Sequence, residues 1–349
     1  MVLPLTTRLS LALGAVIFAS ACGGADDDTT NGLGKGAATG KSTGGTGGTA
    51  IITLTGGTSG SSNPGAGGTG NATSSGGTGP YTLPAGYTRA DDGGWLLGDP
   101  VKEGEPPPTV STQGTMGCGQ QILGIVRDFK RGDQSGGHPD FQTYQGQGQP
   151  KAVAATLGAD QKPVFDSSAL TVNDCTADTD GNKAKRSCFT SLDDFNEWYN
   201  DLADVNDPYY VFFSLEPSGN KATFHSSAFF PLDGKGFGNQ GFKDNFAFTT
   251  EVHTTFQYNG GETFSFTGDD DLWVFINKKL AIDLGGLHSQ QSATVNLDTD
   301  AQKLGIKKGT VYPLDLFHAE RHTDASNFKI DTTLYFVDCG VVVPSGPVR

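Results

Sequence analysis

The pattern of apolar and polar positions divides the chain into a long stretch with almost no periodicity and a later stretch that alternates. Phe246, Phe248, Val252, Phe256 and Tyr258 share one parity, and Glu251, His253 and Gln257 share the other. That is the period of two expected of a strand. Asn259-Gly260-Gly261 follows as a hairpin turn signal. Phe264 and Phe266 then alternate with Thr263, Ser265 and Thr267. Leu272-Trp273-Val274-Phe275-Ile276 is apolar on both parities and predicts a strand buried on both faces, with Trp273 in the core. Tyr312, Leu314 and Leu316 alternate, as do Phe328, Ile330, Leu334 and Phe336. Short strands separated by turn signals predict an all-β antiparallel sandwich. One helix is expected, from Ser191 to about Asp204, because Ser191 and Asp194 form a capping box and Leu192, Phe195, Tyr199 and Leu202 make an apolar stripe.

The N-terminus carries a basic residue, Arg8, then an apolar run from Leu9 to Ala21. The run is too short to cross about 30 Å of hydrocarbon as a helix and predicts a signal peptide over residues 1–21. Phe18-Ala19-Ser20-Ala21-Cys22 resembles the lipobox of bacterial lipoproteins, with Ala19 where that family usually has Leu. The resemblance implies lipidation at Cys22, export, and anchoring in the bacterial envelope at the outer membrane or cell surface. Contact with the membrane would then be through the lipid alone. The plainer alternative is an ordinary signal peptide cleaved nearby.

Residues 22–117 are expected to be a linker rich in Gly, Thr and Ser, the folded domain to span 118–339, and 340–349 to be a tail. Glycine accounts for 51 of 349 residues, most of the excess in that linker, and no charged residue lies between Lys41 and Arg89. Such sequence cannot bury enough apolar surface to offset its ordering entropy. As a flexible coil it would hold the domain roughly 40–50 Å from its anchor. The net charge of −14 argues against nucleic acid as a partner. Setting Cys22 aside, Cys118, Cys175, Cys188 and Cys339 remain, an even number that argues for disulfides in an exported protein. Three pairings are possible; the favoured one joins Cys175 to Cys188 around a polar loop and Cys118 to Cys339 across the domain ends.

Several motifs in the right order resemble the fibro-slime domain. They are Val126-Arg-Asp-Phe129, His138-Pro-Asp-Phe141, Phe229-Phe-Pro-Leu-Asp-Gly234, Gly268-Asp-Asp-Asp-Leu-Trp-Val-Phe-Ile-Asn277, Ile282-Asp-Leu-Gly-Gly-Leu-His288 and Leu316-Phe-His-Ala-Glu-Arg-His322. The resemblance runs from about Gln121 to Asp338, and its later half, roughly from Asn245, is similar to the protective-antigen-type β-sandwich. Members of that wider group occur in adhesins, toxins and glycosidases, often as carbohydrate-binding modules. The resemblance implies an extracellular binding protein, with an extracellular glycan or matrix polysaccharide as its partner; no nucleophile–base arrangement or phosphate loop is visible in the sequence, so no enzyme is expected.

In flocculin-type adhesins of the same sandwich group, a pair of aspartates joined by a cis peptide holds calcium, which in turn holds sugar hydroxyls. Asp269-Asp270 corresponds to that pair, and Asp271 leaves the register open. The resemblance thus implies Ca2+ as cofactor, with Asp269, Asp270, Asp271, Glu320 and Asn327 as its candidate ligands. The alternative is a solvated turn. His318, Glu320 and His322 share strand parity with Tyr312, Leu314 and Leu316 and point inward at the strand's end. They are either a hydrogen-bonded brace for the Asp loop or ligands of a transition metal, since H-x-E-x-H lacks the helical spacing of zinc proteases. His288, in a Gly-Gly-Leu-His turn, is a further ligand-binding candidate with His318 and His322. The competing functions are a structural matrix component without specific glycan binding and a metal-dependent hydrolase.

Overall fold

The computed structural model describes residues 87–89, 94–102, 105–108, 121–141, 144–177, 184–322, 324–338 and 340. The export segment 1–21, Cys22, most of the expected linker, Cys118, Cys339 and the tail from 341 lie outside the described residues.

All strand pairings are antiparallel, as the alternation requires. A nine-stranded sheet runs Thr88–Arg89, Trp95–Pro100, Asn206–Ser214, Gln121–Phe129, Phe248–Tyr258, Thr310–Glu320, Asp271–Ile276 and Lys279–Leu284, with Tyr335–Phe336 also paired to Phe248–Tyr258. A five-stranded sheet runs Gln291–Asn296, Thr263–Gly268, Phe328–Thr332, Lys221–Ser226 and Glu216–Ser218. The core between them takes the inward parity of both: Val126, Val252, Phe256, Val274 and Leu316 from one, Phe224, Phe264, Phe266, Phe328 and Ile330 from the other. On the outer face of the smaller sheet, hydroxyl pairs Ser265–Thr294 and Thr267–Ser292 stand at 2.7 Å. This half is the sandwich that the alternation predicts.

The larger sheet is covered on its second face too. Residues between Phe129 and Val205 fold back over it as a third layer. Phe141, Phe165, Phe189, Phe195 and Trp198 pack there against Trp273, Phe275 and Phe317. Double burial explains why Leu272–Ile276 is apolar on both parities. It also changes the reading of Phe248–Tyr258. Glu251 and His253 alternate with phenylalanines as a solvent-facing parity would, yet both are buried under the covering layer. They lie in an ion network: Arg127 Nη1 donates to Glu251 Oε2 at 2.7 Å, and Arg127 Nε to Asp201 Oδ1 at 2.7 Å. Lys162, reaching in from the covering layer, pairs with Glu251. His253 lies 2.6 Å from Glu251 and 2.7 Å from Asp315.

The helix is shorter than expected. It spans Leu192–Glu197, capped as predicted by Ser191, whose Oγ accepts from the Asp194 N–H at 3.0 Å. Leu192 is exposed, so the buried anchors are Phe195, Trp198 and Tyr199. A second helix, Leu297–Leu304, begins at Asn296 and ends at Gly305, whose φ of 69° is the left-handed cap that glycine accommodates. The third layer also contains a small sheet of Tyr144–Gln145, Cys175–Ala177 and Lys185–Arg186, and Cys175 is disulfide-bonded to Cys188.

The expected linker boundary needs correction. Trp95–Pro100 pairs with Asn206–Ser214 and buries Trp95, Leu96 and Leu97, so ordered structure begins ahead of Cys118. The Gly-rich surroundings mask that short apolar run. A chain lacking residues 1–102 should therefore melt below one lacking only residues 1–86; equal melting temperatures would show that this strand contributes nothing. A second expectation concerns His253. Burial alone would lower its pKa, but hydrogen bonds to Asp315 and Glu251 outweigh it and raise the pKa above the ordinary 6.5. Its stabilisation is then complete below about pH 6.5 and lost as pH rises through the folded value. In thermal melts across pH 6–9, His253→Gln should be less stable at pH 6 and flatter with pH than the parent.

Candidate functional site

The loop Gly268-Asp269-Asp270-Asp271 carries the chain from the smaller sheet to the larger, between the Thr263–Gly268 and Asp271–Ile276 strands. Gly268 is required by close approach, since a Cβ there would lie 2.3 Å from the Asn327 carbonyl oxygen. The Asp269–Asp270 peptide is cis. The three carboxylates point to three different sets of partners. Asp269 accepts from the Asn327 backbone N–H at 2.5 Å and from Asn327 Nδ2 at 2.8 Å. Asp270 Oδ1 accepts from the His288 N–H at 3.2 Å, and Oδ2 from the N–H groups of Arg321 and His322 at 3.1 and 2.8 Å. Asp271 Oδ1 accepts from the Gly286 N–H at 2.5 Å, and Oδ2 from Arg321 Nε at 2.8 Å. Three separated segments, 286–288, 321–322 and 327, thus aim main-chain donors at one loop.

Asp269 and Asp270 form the floor of a cleft of about 410 Å³ whose sides include His288, His322, Asn327 and Gln147. The other predicted residues sit elsewhere. Asp271 is fully buried and committed to Arg321. His318 is fully buried among Phe229, Phe248, Phe266 and Phe328, and its Nε2 lies 2.8 Å from the Asp269 carbonyl oxygen. Burial lowers its pKa to about 4, so the ring is neutral and donates to that carbonyl. It braces the loop from the core and does not line the cleft, which corrects its reading as a ligand-binding residue. Glu320 is buried behind the floor; its Oε1 accepts from the His322 N–H at 3.3 Å. His288 lines the cleft with its ring tied to the carbonyls of Ser289 and Leu284 at 2.9 and 3.1 Å, so the turn fixes its orientation. His318, Glu320 and His322 do not converge. Among the described residues, no three His, Cys, Asp or Glu side chains are set to hold a metal ion by themselves.

The electrostatics follow from this count. Arg321 offsets Asp271, and Asp269, Asp270 and Glu320 remain with dipolar donors as their partners. Burial and the neighbouring Asp271 raise the Asp270 pKa. Burial, then Asp270 and Asp269, raise that of Glu320 well above its ordinary value. Glu320 Oε2 makes no hydrogen bond of full geometry, and the nearby Ser326 hydroxyl opposes only part of the rise. The residues that sequence reasoning missed are Arg321 and the cleft wall around Gln147. Arg321 stands inside the Phe-His-Ala-Glu-Arg-His motif, 50 residues along the chain from Asp271, so neither its burial nor its pairing with that acid is legible locally.

Residues 233–342 match the PA14 domain. This domain is a β-sandwich linked to carbohydrate binding and adhesion, and the match begins close to the point where the protective-antigen-type resemblance begins. The chain is 34% identical over 229 residues to protein psiQ and 35% identical over 231 residues to protein psiD, both of Dictyostelium discoideum. These alignments cover 59% and 62% of this chain, and 21% and 41% of the relatives. The chain therefore spans well under half the length of these curated relatives. Among solved structures, the PA14 domain of the MpAFP antifreeze protein overlaps 38% of this chain and 79% of its own, at 11% identity and a TM-score of 0.22. A β-glucosidase from Kluyveromyces marxianus overlaps 60% of this chain and 16% of its own, at 13% identity and a TM-score of 0.19. Both scores are too low to carry a structural argument.

The raised Glu320 pKa has a testable sign. Its folded state keeps the proton above the unfolded value, so stability falls as pH rises from about 4.5 toward the folded pKa. Glu320→Gln is a neutral isostere that removes this loss. Without divalent ions, the variant should melt higher than the parent at pH 7, and the gap should close toward pH 4; a lower melting temperature at pH 7 would count against the assignment.

Proposed function

We propose that this chain is an extracellular binding module that recognises hydroxyl-rich glycans at the Asp269–Asp270 cleft with the help of a divalent cation, calcium by donor chemistry. The carrying observation is the floor of the cleft. Two adjacent carboxylates are fixed by main-chain N–H groups, an amide side chain lies beside them, and the one nearby guanidinium is committed to Asp271. Hard oxygen donors of this kind, the Asp269 and Asp270 carboxylates and the Asn327 amide, suit calcium. When bound, such a cation supplies an electrophilic centre that paired sugar hydroxyls can ligate.

The chain's own residues do the rest. Asn327 orients Asp269, the 286–288 turn and the 321–322 segment orient Asp270, and the His318 ring holds the backbone between the two sheets. Export, with display at the surface through lipidation at Cys22, belongs to the same reading.

The reading is tested with calcium first. In metal-free protein, calcium at a hundred times its dissociation constant should stabilise by about 2.7 kcal/mol, read as a rise in melting temperature. Asp270→Asn should abolish both that rise and retention on glycans that bind the parent. Glycan binding that persists in EDTA and in Asp270→Asn would rule out the cation.

A further inference from the structure

The cleft has a second wall that the sandwich does not provide. It comes from the covering layer, where Tyr144–Gln145 pairs with Cys175–Ala177 and continues through Gly146 and Gln147 along the cleft's edge. We infer that Gln145 and Gln147 are specificity-determining residues of the proposed glycan site, and that the site selects neutral over acidic sugars. This rests on the glycan reading above.

Two observations carry it. The first is that the wall is built to a fixed position. The Gly148 N–H donates to the Leu287 carbonyl at 2.9 Å, and the Gln149 N–H to the Gly285 carbonyl at 2.5 Å. The wall is thereby tied to the turn whose His288 N–H donates to Asp270. Gly146 passes so close that a Cβ would lie 2.4 Å from the Leu287 carbonyl oxygen and 2.7 Å from Cys175 Sγ. The disulfide therefore backs the wall. Its other half is held as well, since the Cys188 N–H donates to Gln149 Oε1 at 2.8 Å. A wall bonded to the floor's own turn fixes the backbone from which Gln145 and Gln147 project beside Asp270, as specificity requires.

The second observation is the chemistry of the lining. Gln145 and Gln147 are exposed on the cleft; Gln147 Nε2 gives one hydrogen to the Gly146 carbonyl at 3.0 Å, and a primary amide has a second N–H and an oxygen that suit hydroxyls. No Lys or Arg lines the cleft among the described residues, whereas Asp324 does, beside Asp269 and Asp270. One divalent cation balances the two floor carboxylates and leaves Asp324 uncompensated. A uronate or sulfate would meet that charge with no cationic side chain to receive it. A neutral sugar meets amides, a carboxylate and the cation, each suited to hydroxyls.

The full chain, calcium-loaded, is applied to an array of neutral oligosaccharides and of oligosaccharides bearing uronate or sulfate, beside Gln145→Ala/Gln147→Ala and Asp270→Asn. The parent should bind neutral members. The double variant should bind those same members about tenfold more weakly, or in a changed order, while its calcium-induced rise in melting temperature stays that of the parent. Asp270→Asn should lose both. Unchanged affinity and order in the double variant overturns the wall alone, as does a preference of the parent for acidic members. Absence of any binding by a calcium-responsive parent ends the glycan reading, and the wall's role with it.

Discussion

One buried guanidinium connects the parts of this protein that sequence separation keeps apart. Arg321 is ion-paired to Asp271 at 2.7 Å, and its Nη1 donates to the carbonyls of Cys188 and Asp140 at 2.7 and 3.2 Å. Its plane lies over Trp198 at 4.7 Å and over Phe189 at 5.2 Å, while its own N–H donates to Asp270. The Asp loop, the disulfide and the aromatic heart of the covering layer thus share one cation. Leaving a buried charge of this type without its partner costs about 3–5 kcal/mol. The geometry of the cleft floor is therefore inseparable from the docking of the third layer.

The same dependence appears in the sheet itself. A two-layer sandwich would present Trp273, Phe275 and Phe317 to water, together with Arg127, Glu251 and His253. The covering layer buries the first group in an aromatic cluster and completes the second with Lys162. The nine-stranded sheet is thus the middle of three layers, and its polar parity is satisfied by ions instead of solvent.

Much of this was legible in the chain. Phe264, Phe266, Phe328 and Ile330 alternate cleanly because the smaller sheet is dry on one side and wet on the other. Leu272–Ile276 announced burial on both faces. Ser191 announced a helix start, though not its early end, because Leu192 and Leu202 fit a stripe that the packing does not use. Local pattern could not show that Glu251 and His253 are buried, since a strand facing water and one facing an ion network alternate alike. Nor could it separate Asp269 and Asp270 from Asp271, because three adjacent acids differ only in what approaches them from distant segments. His318 shared the parity of a core strand, and it was that parity, more than its chemistry, that foretold its role.

The PA14 match begins at Asp233, whereas the strands Gln121–Phe129 and Asn206–Ser214 belong to the same sheet as the matched strands. The matched stretch and the sheet to which its strands belong thus have different boundaries here. A recombination event or an engineered fusion cut at the edge of the match would carry away a sheet missing its flanking strands and one of its two coats. A fragment that keeps the sheet whole therefore has to take the larger block, with its covering layer and the segment that walls the cleft.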